Sequence, residues 1–238
     1  MKHTFHLPTG CASCGHKLCA KKVSLFSNLS DDQLHTLINL VERKSYKKGD
    51  TIVHLGLPFD RLYIVNQGSL KVSTFNEEGK AQILYILNEG DTFGELSLLK
   101  SMDSPYEINA LRACHLCTIP KNAFDAYLKE NPEIIFAILE SAHEKITSLE
   151  KLVGAIATND ADTRLRFLIH RLMLQNGQVT PNGVLIKFLL TREDMANFVG
   201  VTRETISRKL STLSQEGILE LKDNKQLLIL NEDYFMRS

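Results

Sequence analysis

What the chain lacks narrows its function first. No run approaches the roughly 18 consecutive apolar residues of a membrane-spanning helix. The stretch before Cys11 has Lys2 but no apolar core of signal-peptide type. A cytoplasmic protein with no membrane partner is expected. Charge of one sign is also lacking. Lys+Arg and Asp+Glu each number 28, so no global basic field draws the chain to nucleic acid and any electrostatic footprint must be local. No nucleophile–base pair, phosphate loop, internal repeat or low-complexity run is present, which leaves an enzyme without support.

What is there allows one large or two ordinary domains. The 238 residues are 43% hydrophobic, which is ample material for a core. Ser30-Asp-Asp-Gln33 is a capping-box start for a short helix whose apolar face is Leu34, Leu37, Ile38 and Val41. From about residue 44 to 121 the pattern has period two, punctuated by Gly49, Gly56, Gly68, Gly79, Gly90 and Gly94. Arg61–Val65, Ser69–Ser73 and Gln82–Leu87 read as strands, with Asn76–Lys80 as a hairpin tip. Turns at this spacing predict an antiparallel sandwich or barrel.

After Pro120 the pattern is helical. Pro132 can open a long helix in which Ile135, Ile138, Ala142, Leu149, Leu152 and Ile156 recur at steps of three and four, widened by Ile146 and Val153. Such a stripe is a helix–helix seam, against a symmetry mate or within one domain. With Glu144 and Glu150 expected at its flanks, no carboxylate opposes association, and a standing dimer is expected. Polar residues from Ala157 to Ala161 form a hinge, and Asp162–Leu172 begins another amphipathic helix.

Thr191–Leu210 carries the densest signal. Thr191 caps a first helix with Glu193 and Asp194 in its first turn, where the helix dipole favours acids. Ala196 allows close helix approach, Gly200 permits a left-handed turn, and Thr202 caps a second helix. There Ile206, Leu210 and Leu213 form a buried stripe, while Glu204, Ser207 and Arg208 share another face, with Arg203 beside Ser207. Arg192, Arg203, Arg208 and Lys209 only slightly outnumber Glu193, Asp194 and Glu204, so adequate affinity needs two copies. An exposed arginine can pair with a guanine edge and a glutamate can accept from cytosine N4. A solvated helical hairpin is the plain alternative. Both caps, the small residue, the turn glycine and the basic face occurring together point instead to a helix-turn-helix on double-stranded DNA. Gly217–Lys222 and Gln226–Leu230 flank Asp223-Asn224 as a hairpin wing.

Five cysteines in a reducing compartment argue for metal or redox chemistry. Cys11, Cys14 and Cys19 are spaced C-x2-C-x4-C, and three thiolates that close can wrap one soft centre, iron–sulfur or zinc. A fourth ligand must come from elsewhere. Cys114 and Cys117 lie three apart in a strand and so point to opposite faces, and only one can readily serve.

Gly90-Asp-Thr-Phe-Gly-Glu-Leu96, the long helix and Thr202-Arg-Glu-Thr-Ile-Ser-Arg208 together resemble the CRP/FNR family of bacterial transcription regulators, over essentially the full length. The resemblance implies an α+β chain: an N-terminal cysteine segment at 1–22, a sensor β-roll of cyclic-nucleotide-binding type (a double-stranded β-helix) at 23–130, a dimerisation helix at 131–158 and a winged helix-turn-helix at 159–238. It also implies a homodimer that meets RNA polymerase, with the Asn76–Lys80 tip as a candidate contact. Glu204, Ser207 and Arg208 are similar to the pattern of the FNR-like branch, which implies a palindrome of TTGA-type half-sites. Glu204 and Arg208 would read the G·C pair and Ser207 the outer bases, with Thr202, Arg203 and Arg192 completing the DNA-binding set.

Members that bind cyclic AMP carry an Arg-Ser pair shortly after the glycine that opens Gly-Glu-Leu. Here Pro105 and Tyr106 stand in those places, and no arginine lies between Gly94 and Arg112. Without a guanidinium for the cyclic phosphate, Glu95 is expected to be structural. In FNR-type sensors the fourth cluster cysteine stands just before an x-Ile-Pro run, as in Cys117-Thr-Ile-Pro120. The resemblance therefore implies a [4Fe–4S] cluster on Cys11, Cys14, Cys19 and Cys117 that reports oxygen. Zinc, with Cys19 or His16 completing a knuckle, stays open. So do a reversible disulfide to Cys117 and a small-molecule effector in the β-roll.

Overall fold

The computed structural model describes residues 20, 23–95, 100, 102–157, 160–187, 190–223 and 226–236, so Cys11, Cys14 and Cys19 lie outside the described residues. The chain forms two compact bodies, 1–72 with 86–146 and 73–85 with 147–238.

A 3-10 turn at Ser24–Phe26 precedes α1 (Asp31–Asn39). Ser30 caps α1 as expected: its hydroxyl accepts from the Gln33 amide at 3.3 Å, and the Gln33 side chain accepts from the Ser30 amide at 2.9 Å. The strands are β1 (Glu42–Tyr46), β2 (Thr51–Val53), β3 (Arg61–Gln67), β4 (Ser69–Phe75), β5 (Ala81–Asn88), β6 (Thr92–Phe93), β7 (Glu107–Ala110) and β8 (Cys114–Pro120). They form two four-stranded sheets, β1-β8-β3-β6 and β2-β7-β4-β5, which accords with the antiparallel architecture expected from the period-two pattern and with the β-roll that the resemblance implied.

Register decides what covers each sheet face. On the first sheet Ile64 stands opposite Cys117 and Leu62 opposite Ile119, while Val65 stands opposite Leu116. Period two puts Leu62, Ile64, Cys117 and Ile119 on one face, and Val65 with Leu116 on the other. Both sets are buried. The Cys117 face is covered by Ala20, Val23, Leu25 and Phe26, by Leu34 and Leu37 of α1, and by Phe124 of α2 (Lys121–Glu130). Gly94 adopts φ +91°, and a Cβ there would lie 2.2 Å from the Arg61 carbonyl oxygen, so only glycine fits.

The long helix α3 spans Ile134–Ala157. Its phase corrects the expected seam. Ile134, Ile138 and Ala142 are buried, and the two isoleucines join the apolar cluster under α1 and α2. Among the described side chains of α3, the large apolar ones left exposed are Ile135, Phe136, Leu139, Ile146 and Val153. Leu139, Ile146 and Val153 are seven apart, a heptad stripe. Glu150 lies between Ile146 and Val153 on that side of the helix, and it is exposed. The carboxylate expected at the flank therefore sits within the free stripe, because Ile138 and Ala142 are taken by the roll.

The second body contains α4 (Ala161–Asn176), β9 (Gly177–Thr180), β10 (Gly183–Lys187), α5 (Arg192–Val199), α6 (Arg203–Gln215), β11 (Leu219–Asp223), β12 (Gln226–Ile229) and α7 (Asp233–Met236). The expected wing, β11–β12, belongs to a four-stranded sheet of order β11-β12-β10-β9. Asp160 caps α4, accepting from the amides of Asp162 at 2.9 Å and Thr163 at 3.1 Å. Phe167 of α4 stacks on Phe198 of α5, with ring centroids 6.3 Å apart.

Candidate functional site

Local chemistry sets the α5–α6 pair. The Thr191 hydroxyl accepts from the Asp194 amide at 3.0 Å, and the Asp194 carboxylate accepts from the Thr191 amide at 3.0 Å, a reciprocal cap. Gly200 ends α5 in the left-handed region at φ 74°, and its amide donates to the Ala196 carbonyl at 2.8 Å. Thr202 then caps α6, accepting from the Thr205 amide at 3.3 Å. Ile206, Leu210 and Leu213 face the core, which fixes the rotation of α6.

That rotation leaves Thr202, Arg203, Glu204, Ser207 and Arg208 exposed together. Among the described residues none forms an ion pair with Arg203, Glu204 or Arg208, so this face is free to meet an outside partner. The other two cations differ. Lys209 is tied to Asp162 at 2.5 Å. Arg192 opens α5, half buried, with its guanidinium 3.4 Å from the Met195 sulfur and its pKa lowered by burial. A further contact went unforeseen in the sequence. The Gln82 side-chain amide of β5 donates to the Phe198 carbonyl at 2.9 Å, satisfying an acceptor at the end of α5.

The two described cysteines have different surroundings. Cys117 lies in the same apolar cluster as Ala20, the residue that follows Cys19 in the chain. Arg43 stands opposite it on β1. A cavity of about 250 Å³ opens beside it, lined by Arg43, Lys44, Ser45, Asn66, His115 and Leu116. Cys114 is buried away from that cluster, and burial first, then Asp50, pushes its thiol pKa up. A thiol held protonated is a poor ligand and a poor nucleophile. Among the described residues no group of three or more His, Cys, Asp or Glu side chains is placed to hold a metal ion.

In the roll, Glu95 is 1% exposed. One of its oxygens is ion-paired with Lys145 of α3, and Lys145 also donates to the Thr92 carbonyl at 2.9 Å. Tyr106, where the resemblance places the serine of a phosphate-binding pair, packs edge-on to Phe59 at 6.1 Å. Tyr63 stacks on Phe93 at 4.6 Å, and burial pushes its pKa to about 12, so it stays neutral.

Comparison with known proteins bears on the assignment. A model of the cyclic nucleotide-binding domain matches residues 43–131, and a model of the Crp-like helix-turn-helix domain matches residues 164–237. Over 221 residues the chain is 30% identical to the probable transcriptional regulator flp of Lacticaseibacillus casei, covering 90% of this chain and 95% of that one. The chain belongs to the CRP/FNR family of transcriptional regulators. Another relative in the family is the cAMP-activated global transcriptional regulator CRP of Salmonella typhimurium, 29% identical over 80% of this chain and 90% of its own. In fold the chain is similar to FixK2 from Bradyrhizobium japonicum, at a TM-score of 0.74 and 18% identity, over 82% of this chain and 96% of that one. This CRP/FNR regulator is thus a DNA-binding protein with an N-terminal β-roll and a C-terminal helix-turn-helix. No described helix is long and apolar enough to cross a membrane.

Proposed function

We propose that this CRP/FNR regulator is a cytoplasmic homodimer of the FNR-like branch whose binding to a palindromic TTGA-type site answers to oxygen or redox state. Cys11, Cys14, Cys19 and Cys117 hold the sensing centre, a [4Fe–4S] cluster. The observation that carries this reading is the position of Cys117, buried in one apolar cluster with Ala20, so that the chain after Cys19 runs to the face where the fourth thiol waits. The donor set fits: clustered thiolates suit an iron–sulfur centre, and Cys117 shares its apolar cluster with Ala20 whereas Cys114 lies outside that cluster. When bound, such a centre supplies iron–thiolate bonds that oxidants break. The chain's own part is to fix Cys117 on a sheet, to keep bulk water away with Ile64, Ile119 and Phe26, and to leave the cavity at Arg43 and His115 as a path for a small oxidant.

A second reading has an N-terminal cysteine and Cys117 form a reversible disulfide, and the cavity beside Cys117 would give an oxidant access to that thiol. Output is read by Glu204, Ser207 and Arg208, with Thr202 and Arg203 beside them and Arg192 at the rim. RNA polymerase is the partner at the promoter, and Asn76–Lys80 is the surface offered to it. Cyclic AMP is not the effector, because Pro105 and Tyr106 offer no cation for its phosphate.

Iron and sulfide analysis of anaerobically purified protein, with its visible spectrum, tests the centre. A brown, iron- and sulfide-containing protein that bleaches in air is expected. Colourless protein whose thiols pair reversibly on oxidation would favour the disulfide, and colourless protein containing zinc would reject both.

A further inference from the structure

The roll of this regulator supplies its own occupant. Glu95 is almost wholly buried, as is its side chain at 2% exposure, and a buried carboxylate needs a cation or hydrogen-bond donors. The sequence around it provides no arginine from Gly94 to Arg112. The cation comes instead from 50 residues away, as Lys145 of α3. Its place there follows from helix phase. Ile134, Ile138 and Ala142 form the stripe of α3 that the roll buries, and Lys145 continues that stripe by one more step of three. The ammonium reaches one Glu95 oxygen and the Thr92 carbonyl. The other Glu95 oxygen is buried and accepts no hydrogen bond from any described residue, so among the described residues Lys145 is the one cation at the group.

We infer that Lys145 is a tethered internal ligand of the roll. Its ammonium occupies the buried carboxylate of Glu95 and the Thr92 carbonyl, and it holds the middle of α3 to the roll with no small molecule. The roll of this protein is therefore a permanently occupied clamp on α3, and control enters the molecule elsewhere. The consequence is chemical: the site is selective for a primary ammonium group, and a compound of that class should replace the lysine once its side chain is removed.

Chemical rescue tests this on the full-length protein, with neither DNA nor a cysteine-held centre required. Lys145→Ala leaves a space the size of propylammonium and an unpaired buried charge. Loss of one partner of a buried pair lowers Tm by roughly 10 °C in a chain of this size. Hydrogen exchange should speed up at the α3 amides between Glu140 and Glu150. Millimolar propylammonium restores both quantities, 1-propanol does not, and Glu95→Gln in the same chain abolishes the response. Should Lys145→Ala fail to fold, Lys145→Met with Glu95→Gln removes both charges while filling the space, and this pair should recover most of the lost Tm. The inference is overturned if Lys145→Ala keeps the Tm and exchange of the parent, if 1-propanol rescues as well as propylammonium, or if the double variant is no more stable than Lys145→Met alone.

Discussion

Replacing Arg208 by alanine separates base reading from general affinity for DNA. Arg208 is exposed, sits one residue past Ser207 and two before the buried Leu210, and is ion-paired with no described residue. Alanine there removes no core contact and favours the helix. A bidentate arginine–guanine contact is worth about 1–3 kcal/mol of discrimination. A two-fold dimer makes that contact twice, so about 2–6 kcal/mol is lost on the symmetric site, or roughly 30-fold to more than 10⁴-fold in affinity. Fluorescence anisotropy at fixed salt, on a TTGA-type palindrome and on duplexes with the G·C pair inverted in both half-sites, reads the effect. Arg208→Ala should bind all of these duplexes alike, at the level the parent shows on the inverted one. Lys209→Ala is the contrast. Its ammonium is engaged with Asp162 at 2.5 Å, an exposed pair worth at most about 1 kcal/mol, so any loss should be small and equal on every duplex. If Arg208→Ala weakened specific and inverted duplexes equally, the assigned reading face would be wrong.

Two further outcomes follow from the helices. The Asp160 carboxyl is held down at about 2, first by the Thr163 hydroxyl and then by the Asp162 amide. Its folded pKa lies below the unfolded value of about 3.9, so its stabilisation is present above that pH and is lost as pH falls through the folded value. Asp160→Ala should therefore lower Tm by about 2–4 °C at neutral pH, and the two proteins should converge near pH 2 in calorimetry. Parallel Tm curves across that range would show that the cap carries no charge effect. Glu150 lies in the exposed stripe of α3 between Ile146 and Val153, where a mate helix would place two like charges close together. Glu150→Leu should tighten self-association about tenfold in analytical ultracentrifugation, and Ile146→Glu should abolish it. An unchanged dimer constant in both variants would place the interface elsewhere.

The parts legible in the sequence are those decided by neighbours in the chain. Ser30 with Gln33, Thr191 with Asp194, and Gly200 after Val199 are local hydrogen-bond and backbone chemistry, and each appears in the structure as read. The β3 and β8 strands were legible as short apolar runs bounded by turn residues, and because both faces of the pair are covered, Leu62 to Val65 are buried in succession. The phase of α3 was not legible. Ile134, Ile135, Phe136, Ile138 and Leu139 are apolar around most of the helix, and only packing on the roll selects Ile134 and Ile138. The β9–β10 hairpin escaped because Gly177-Gln-Val-Thr180 has too few apolar residues to show a period. The Glu95–Lys145 and Gln82–Phe198 contacts join residues 50 and 116 positions apart, which no local pattern encodes.

The central claim is that the cysteine-held centre governs DNA binding, and one anaerobic titration tests it most directly. Protein purified without oxygen is titrated with the TTGA-type palindrome before and after exposure to air, its iron and sulfide measured in the same samples, with Cys117→Ser in parallel. The account predicts about four irons and four sulfides per chain before exposure, with DNA affinity changing as they are lost. Cys117→Ser should be iron-poor and indifferent to air. A parent protein that holds no iron, or one that loses its iron in air while binding the palindrome unchanged, would contradict the account.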